Sequence, residues 1–312
     1  MSGLVFDGDQ SIPCQQSIMQ KVYLSTFDHM REGTDPFSRA RLISFSAPGS
    51  GRWQQAVPSV TLDKHLSNGE INTSVSLQLG VDVIEEQGLC GFCGAVLDSK
   101  GIHCGSCTAG GDVNLRHNNV RDSLHSFCKR GRLRPELEKA GLLQDDAVFI
   151  DLRRPADVLV EGVISTTRQT RQQRTALDVK VIDSLGIDHF DLTLQGPHEA
   201  TSAYREAQMA RDNTFERCQA NGIQYEPMVF TAQGGCHPKA EAIINQIAKA
   251  VADTEEVPVG QIKTEIMESI SLSIARSLAA AVARRRPRRR HGPPGLILRT
   301  MAQTQTLEDI LE

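Results

Sequence analysis

What this 312-residue chain lacks narrows it first. It has no apolar run approaching the ~20 residues that cross a bilayer and no apolar segment behind a basic N-terminal start, so a soluble, unsecreted protein is expected. No internal repeat is visible. A disulfide frame is missing too: Cys90, Cys93, Cys104 and Cys107 crowd together, while Cys14, Cys128, Cys218 and Cys236 are scattered. That pattern fits zinc in a reducing compartment better than cross-linking. Charge is nearly balanced at a net −4, but unevenly, because residues 284–312 hold seven arginines against three acids. With 39% hydrophobic residues the chain can bury one sizeable core plus a small metal module.

The cysteine cluster is the strongest local signal. Zinc takes four soft or borderline ligands in a tetrahedron; a Cys-x2-Cys turn supplies two thiolates from one knuckle, and a His-x3-Cys pair closes the site from the other side. Cys90, Cys93, His103 and Cys107 meet that requirement, with glycines at 91, 94, 101, 105, 110 and 111 for the turns. Cys104 with Cys107, completed by His103 or His117, is an alternative set. A bare loop of reduced cysteines is the plain alternative. Four protein ligands leave no open position for water, so a structural zinc is expected rather than a catalytic one.

Beyond the cluster, residues 147–150, 156–160 and 176–182 read as three strands, short, apolar and rich in β-branched side chains. Asp178 and Lys180 are two apart, so both point to one face. With 156–160 paired alongside, Asp157 reaches the same face. Two carboxylates and a lysine converging there suit phosphodiester hydrolysis: the carboxylates would hold Mg²⁺ or Mn²⁺ and the lysine would position or deprotonate the attacking water. A lone Asp-x-Lys also arises on any strand with a solvated face. Residues 119–142 read as one or two helices capped by Asn118 or Asn119, residues 198–221 as a helix stopping at Asn221-Gly222, and 225–231 as a fourth strand. The order is helix, three strands, helix, strand: an α/β core with a mixed sheet flanked by helices.

That order, with Asp157 and Asp178-Val-Lys180 where they stand, resembles the PD-(D/E)xK restriction-endonuclease-like superfamily. The wider pattern is similar to the C-terminal region of non-LTR retrotransposon polyproteins that carry a restriction-like endonuclease after a zinc finger. It comprises the Cys-Cys-His-Cys cluster, Arg116-His117-Asn118, Arg154-Pro155-Ala156-Asp157-Val158, Ala176-Leu177-Asp178-Val179, 222–229 and Gly234-Gly235, and covers roughly residues 36–286. The resemblance implies a zinc finger at residues 90–107, Asp157 and Asp178 as ligands of Mg²⁺ or Mn²⁺, Lys180 as the catalytic lysine, and DNA and element RNA as partners. Ala156 separates the proline and aspartate that are often adjacent in the family. Many relatives place a basic residue on the following helix instead of the strand; Arg205 and Arg211 occupy that helix, and Arg211, one turn before Phe215, is the alternative catalytic cation. No polymerase aspartate pair precedes the cluster, so the chain is expected to be a tail piece without the copying engine.

The remaining expectations concern the basic stretches and the ends. Arg284, Arg285, Arg286, Arg288, Arg289 and Arg290 close a helix expected over 270–283 and read as an import signal or a phosphate-binding arm, which would make the protein nuclear; an idle arm would leave it cytoplasmic. Arg168, Arg171 and Arg174 lie in a loop at the mouth of the proposed site and are candidates to grip backbone phosphate. Helical segments are expected at 59–66 and 68–79, and a mobile terminus at 1–20. The organisation expected is an N-terminal segment at 1–85, a zinc module at 86–117, an endonuclease domain at 118–286 and a disordered basic tail at 287–312. No membrane partner is expected.

Overall fold

The computed structural model describes residues 15–61, 63–86, 88–143, 154–161 and 174–286. The expected strand at 147–150, the arginines at 168, 171 and 288–290, and the tail from 287 lie outside the described residues.

Four strands form the central sheet in the order β3 (Glu136–Leu137), β4 (Val158–Val160), β5 (Arg174–Ile182), β6 (Ile223–Thr231). The first three pair antiparallel and β6 runs parallel to β5, with Asp178 opposite Pro227 and Lys180 opposite Val229. The two-residue period of a strand decides which side chains meet which layer. Leu177, Val179, Val158, Val160, Met228 and Phe230 face α5 (Asp112–Arg130), α9 (Pro238–Glu255) and α10 (Val259–Arg285), where Val120, Leu124, Ile243, Ile244, Ile247 and Ile270 complete the main core. Full burial of each such aliphatic side chain is worth roughly 1.5–3 kcal/mol. The opposite face carries Ala176, Leu159, Ile223 and Tyr225 against Cys218 of α8 (Thr214–Ala220), and Ile182 and Val229 against Ala200 of α7 (Glu199–Ala210). The fold is mixed α/β, helices on both sides of a mixed sheet.

Several sequence-based boundaries move. α5 starts at Asp112, directly after Gly110 and Gly111, both at positive φ, so Asn118 and Asn119 are interior residues and not caps. The expected helix at 198–221 is α7 and α8 joined by a kink, with Asp212 and Asn213 at φ of 53°; a shorter α6 (Phe190–Gln195) precedes them. Ser59 and Lys64 pair in an isolated antiparallel bridge, where a helix was expected. Helices appear where none was expected, α1 (Gln15–Glu32) and α2 (Pro36–Ser46), the latter capped by the Asp35 carboxylate on Ser38 N at 3.1 Å. α9 likewise has no counterpart among the expectations. The third described strand is 136–137.

α10 runs 27 residues rather than the expected fourteen or so from 270, and by length and composition it is apolar enough to cross a membrane, with mean hydropathy 1.4 over its best window. This corrects the statement that no such run exists. Yet 67% of that window is buried inside the protein, as a core helix would be. α10 packs along α5, α9, α3 (Asn68–Leu79) and α4 (Ile102–Ser106), so it touches both the sheet domain and the cysteine module.

Candidate metal centres

The cysteine module is a β1–β2 hairpin (Gly88–Leu89, Val96–Leu97) followed by α4. Its knuckle is closed by Cys90 N donating to Ala95 O at 2.7 Å and Gly94 N to Cys90 O at 2.8 Å, with Gly94 at φ of 75°. The Asp98 carboxylate accepts from Ile102 N and His103 N at 2.9 and 2.8 Å, which starts α4 and fixes His103 one turn before Cys107. The ligand atoms of Cys90, Cys93, His103 and Cys107 all lie within 4.8 Å of one another. Cys93 Sγ is 3.7 Å from Cys107 Sγ and 3.2 Å from His103 Nε2. Thiolates on a tetrahedral zinc at ~2.3 Å stand ~3.8 Å apart. This Cys3His group can hold a metal such as zinc.

Electrostatics point the same way. Burial works against ionising Cys90, but the N–H groups of Phe92 and Cys93 and the His103 ring bring its thiol down to about 6. The Ala95 N–H favours the Cys93 thiolate, but desolvation and the sulfurs of Cys107 and Cys90 raise its pKa overall. Crowded thiols that resist joint ionisation call for a cation. Cys104 points elsewhere, into the small core of Val83, Ile84, Leu97 and Val282, where burial pushes its thiol up to about 12. It is not part of the group, and neither is His117.

His117 instead turns to the second centre. Its Nε2 is 3.4 Å from Asp157 Oδ1. His117 lies three residues before Val120 and seven before Leu124, on the stripe that α5 turns to the sheet. That periodicity, and not its distance from the cysteines, was the available signal. Asp157 sits where β4 begins: its N donates to Leu177 O at 3.0 Å, and its Oδ2 takes the Val179 N–H at 2.7 Å in place of a strand carbonyl. Extending the β4–β5 register by one residue sets Asp157 opposite Asp178. Asp178 Oδ1 is 2.7 Å from Lys180 Nζ, and its Oδ2 accepts from the Tyr225 hydroxyl at 2.7 Å.

Facing carboxylates repel. Burial, and then the charge of Asp157, raise the pKa of Asp178 against the pull of Lys180 and Tyr225. Asp157 is buried as well, but His117 and Lys180 carry it below the usual carboxylate range. The Lys180 ammonium is disfavoured by burial and restored by Asp178, which raises it overall. Each carboxylate has about four lone-pair positions and two protein donors, so oxygen ligands remain for a divalent cation. The free acceptors are carboxylate oxygens, with the Lys180 ammonium 2.7 Å from one of them.

No family model and no curated protein matches this chain.

The other sequence-based candidates scatter. Arg211 is 67% exposed at the α7–α8 kink and approaches its neighbour Asp212 at 3.7 Å, and no described contact joins it to Asp157 or Asp178. Arg174 is the first residue of β5, opposite Ile223. Arg154 leaves the Asp157 turn to bond Glu138 at 2.9 Å, a carboxylate it shares with Arg121. Arg284, Arg285 and Arg286 belong to the end of α10 and not to a free arm. Arg285 has 0% side-chain exposure, pairs with buried Asp112 and donates to Ala109 O at 2.9 Å. It cannot meet a phosphate in this conformation. Arg284 also pairs with Asp112 and lies over the Phe92 ring at 4.8 Å, and Arg286 donates to Val83 O at 2.8 Å. Cys128, Cys218 and Cys236 are buried thiols, raised by desolvation to about 12, 11 and 12. A cavity of about 50 Å³ among Phe45, Trp53, Leu77 and Leu278 has room for a few waters and no more.

Proposed function

We propose that the chain is a zinc-bearing, divalent-metal-dependent DNA endonuclease of retroelement origin, with a restriction-endonuclease-like core. The observation that carries this reading is the meeting of Asp157, Asp178 and Lys180 on one face of β4 and β5, with His117 and Tyr225 holding the carboxylates. A Mg²⁺ or Mn²⁺ ion bound to Asp157 and Asp178 would polarise the phosphoryl oxygen and acidify a bound water.

The chain's own residues supply the rest. His117 and the Val179 N–H fix the rotamer of Asp157, so its remaining lone pairs face one direction. Tyr225 does the same for Asp178. Lys180, held at Asp178, stands where it can orient the attacking water or offset charge on the phosphorane oxygens. Raising the pKa of Asp178 without a cation means that cation binding and deprotonation are coupled, so affinity for the ion would rise with pH.

A nick would leave a 3′ hydroxyl of the kind that a full element uses to prime copying, and element RNA would be a second partner. Import would place the protein in the nucleus, and because Arg284, Arg285 and Arg286 are tied to Asp112, Ala109 and Val83, the signal would fall to Arg288, Arg289 and Arg290. The second reading, an inactive nucleic-acid-binding relic, is favoured by one observation: both oxygens of each carboxylate already have a protein donor. Plasmid nicking with and without Mg²⁺ or Mn²⁺ separates the two. Intact zinc, intact fold and measurable DNA affinity with no cleavage of single- or double-stranded DNA would leave the relic.

A further inference from the structure

Beyond the free edge of β6 lies a group of basic side chains that neither metal centre uses. α7 and α9 both begin at histidines, His198 and His237 at their N-caps. Arg205 follows on α7 and Lys239 is the second residue of α9. His237 is only 9% exposed, and its Nδ1 accepts from Lys239 N at 3.0 Å. That bond fixes the tautomer with the proton on Nε2, a donor with no partner among the described residues. Nδ1 of His198 and Nε of Arg205 are buried and unpartnered too, and Arg205 is held only through Nη2, 3.2 Å from Glu226 Oε2. Burial, then the neighbouring side chains of Arg205, His198 and Lys239, push the His237 imidazole down to about 4.

Unpaired donors from two helix starts, a guanidinium and an ammonium, set against the Glu226 carboxylate, want an anion with several oxygens. The position is informative. His237 N donates to Val229 O at 3.0 Å, and Val229 is the strand partner of Lys180. The group therefore stands about two strand spacings, roughly 10 Å, from Lys180.

We propose that His198, Arg205, His237 and Lys239 form a subsite for a backbone phosphate of a nucleic-acid strand that passes over Lys180. The identity of the ligand rests on the nuclease reading above; the anion site itself rests on the unpaired donors. Phosphate fits better than a carboxylate because its oxygens point to donors arriving from both helices at once.

The test uses the zinc-loaded full chain without added Mg²⁺. Affinity for a short duplex oligonucleotide is measured across salt concentrations for wild type, Arg205→Gln, Lys239→Gln and His237→Asn, the last keeping an N-cap acceptor while removing the imidazole donor. Exposed Lys249, further along α9, supplies the control Lys249→Gln. Losing one phosphate contact should lower the slope of log affinity against log salt by ~0.9. Arg205→Gln and Lys239→Gln should each do so, His237→Asn should weaken binding several-fold, and the control should match wild type. Separately, inorganic phosphate should shift the His237 ring-proton resonances in wild type but not in Arg205→Gln. Slopes identical to wild type in both charge variants overturn the proposal, and so does a His237 resonance indifferent to phosphate. Altered slopes without nicking under any metal would sink the nuclease reading and leave this subsite standing.

Discussion

Removing one zinc ligand offers the cleanest test of how the molecule is held together. Cys93 is the position of choice because its side chain is exposed, so Cys93→Ser opens no cavity and deletes little besides a ligand. The module it serves has a small apolar core, Val83, Ile84 and Leu97 with Val282 of α10, around the buried sulfurs of Cys90, Cys104 and Cys107. A core that size does not order a hairpin and a five-residue helix alone. Zinc supplied at a thousand times its dissociation constant adds ~4 kcal/mol, a factor of about 10³ in the opening equilibrium. In Cys93→Ser, or in wild type after chelation, amide exchange over residues 88–112 should therefore accelerate by about that factor. The acceleration should extend to the last turn of α10, because Arg285 is pinned to Asp112 and to Ala109 O. Amides of β5 should keep their protection, since the main core contains none of the ligands. Elemental analysis should find about one zinc per wild-type chain, none in Cys93→Ser, and an unchanged content in Cys218→Ser. Wild-type protein purified without chelator that contains no zinc yet protects residues 88–112 would refute the reasoning.

Four further outcomes are expected. Asp157→Ala and Asp178→Ala should abolish nicking; Asp157→Ala should also cost ~1–3 kcal/mol by stranding the Val179 N–H, measurable by urea unfolding. Lys180→Ala should lower turnover by ~10²-fold or more with DNA affinity little changed, and if Arg211→Ala carries that loss instead, the strand lysine is not the catalytic cation. Acid should weaken the fold through His237: its folded pKa of about 4 lies below the unfolded value of 6.5, so between those values the unfolded state binds more protons and stability falls as pH drops, by at most about 3 kcal/mol; His237→Asn should flatten unfolding free energy over that window. Deleting residues 287–312 should reduce the salt slope of DNA binding by ~0.9 per lost contact without changing sequence preference, and an unchanged slope would make that segment an import signal or idle.

What could be read from the sequence was whatever a local rule determines. α3 spans Asn68–Leu79 as expected because its ends are written out: Ser67 and Glu70 form a reciprocal capping box, and Gly80 closes the helix at φ of 72°. The Cys3His group was legible for the same reason, four ligand types at spacings that a knuckle and one helical turn impose. The alternation along β5 correctly put Asp178 and Lys180 on one face. Where a boundary depends on tertiary support, the sequence was mute. The kink at Asp212 and Asn213 breaks a helix without glycine or proline. α10 continues eleven residues before Ile270 because packing against α5 and α9 sustains it. His117 looked like a spare zinc ligand by distance along the chain, and only the placement of α5 over β4 shows that it serves Asp157.

The arginines at 284–286 carry the larger lesson about organisation. A run of six arginines reads as an import signal or a phosphate-binding arm, but its first half is the anchor of a helix. Asp112 is 2% exposed and opens α5 immediately after the cysteine module, while Arg285 closes α10 at the far end of the chain. Neither charge can remain buried alone: losing one partner of such a pair costs ~3–5 kcal/mol. The pair therefore ties the entry of α5 to the exit of α10, and Arg286 adds a bond to Val83 O of the same module. Because α5 also carries His117 to Asp157, the cysteine module and the carboxylate centre are linked through one helix. A truncation before Arg284 would then loosen both, whereas one after Arg286 would leave both in place. The difference between those two truncations in zinc content and in the thermal unfolding of the sheet domain measures that linkage directly, and equal behaviour would show that the Arg285–Asp112 pair holds nothing together.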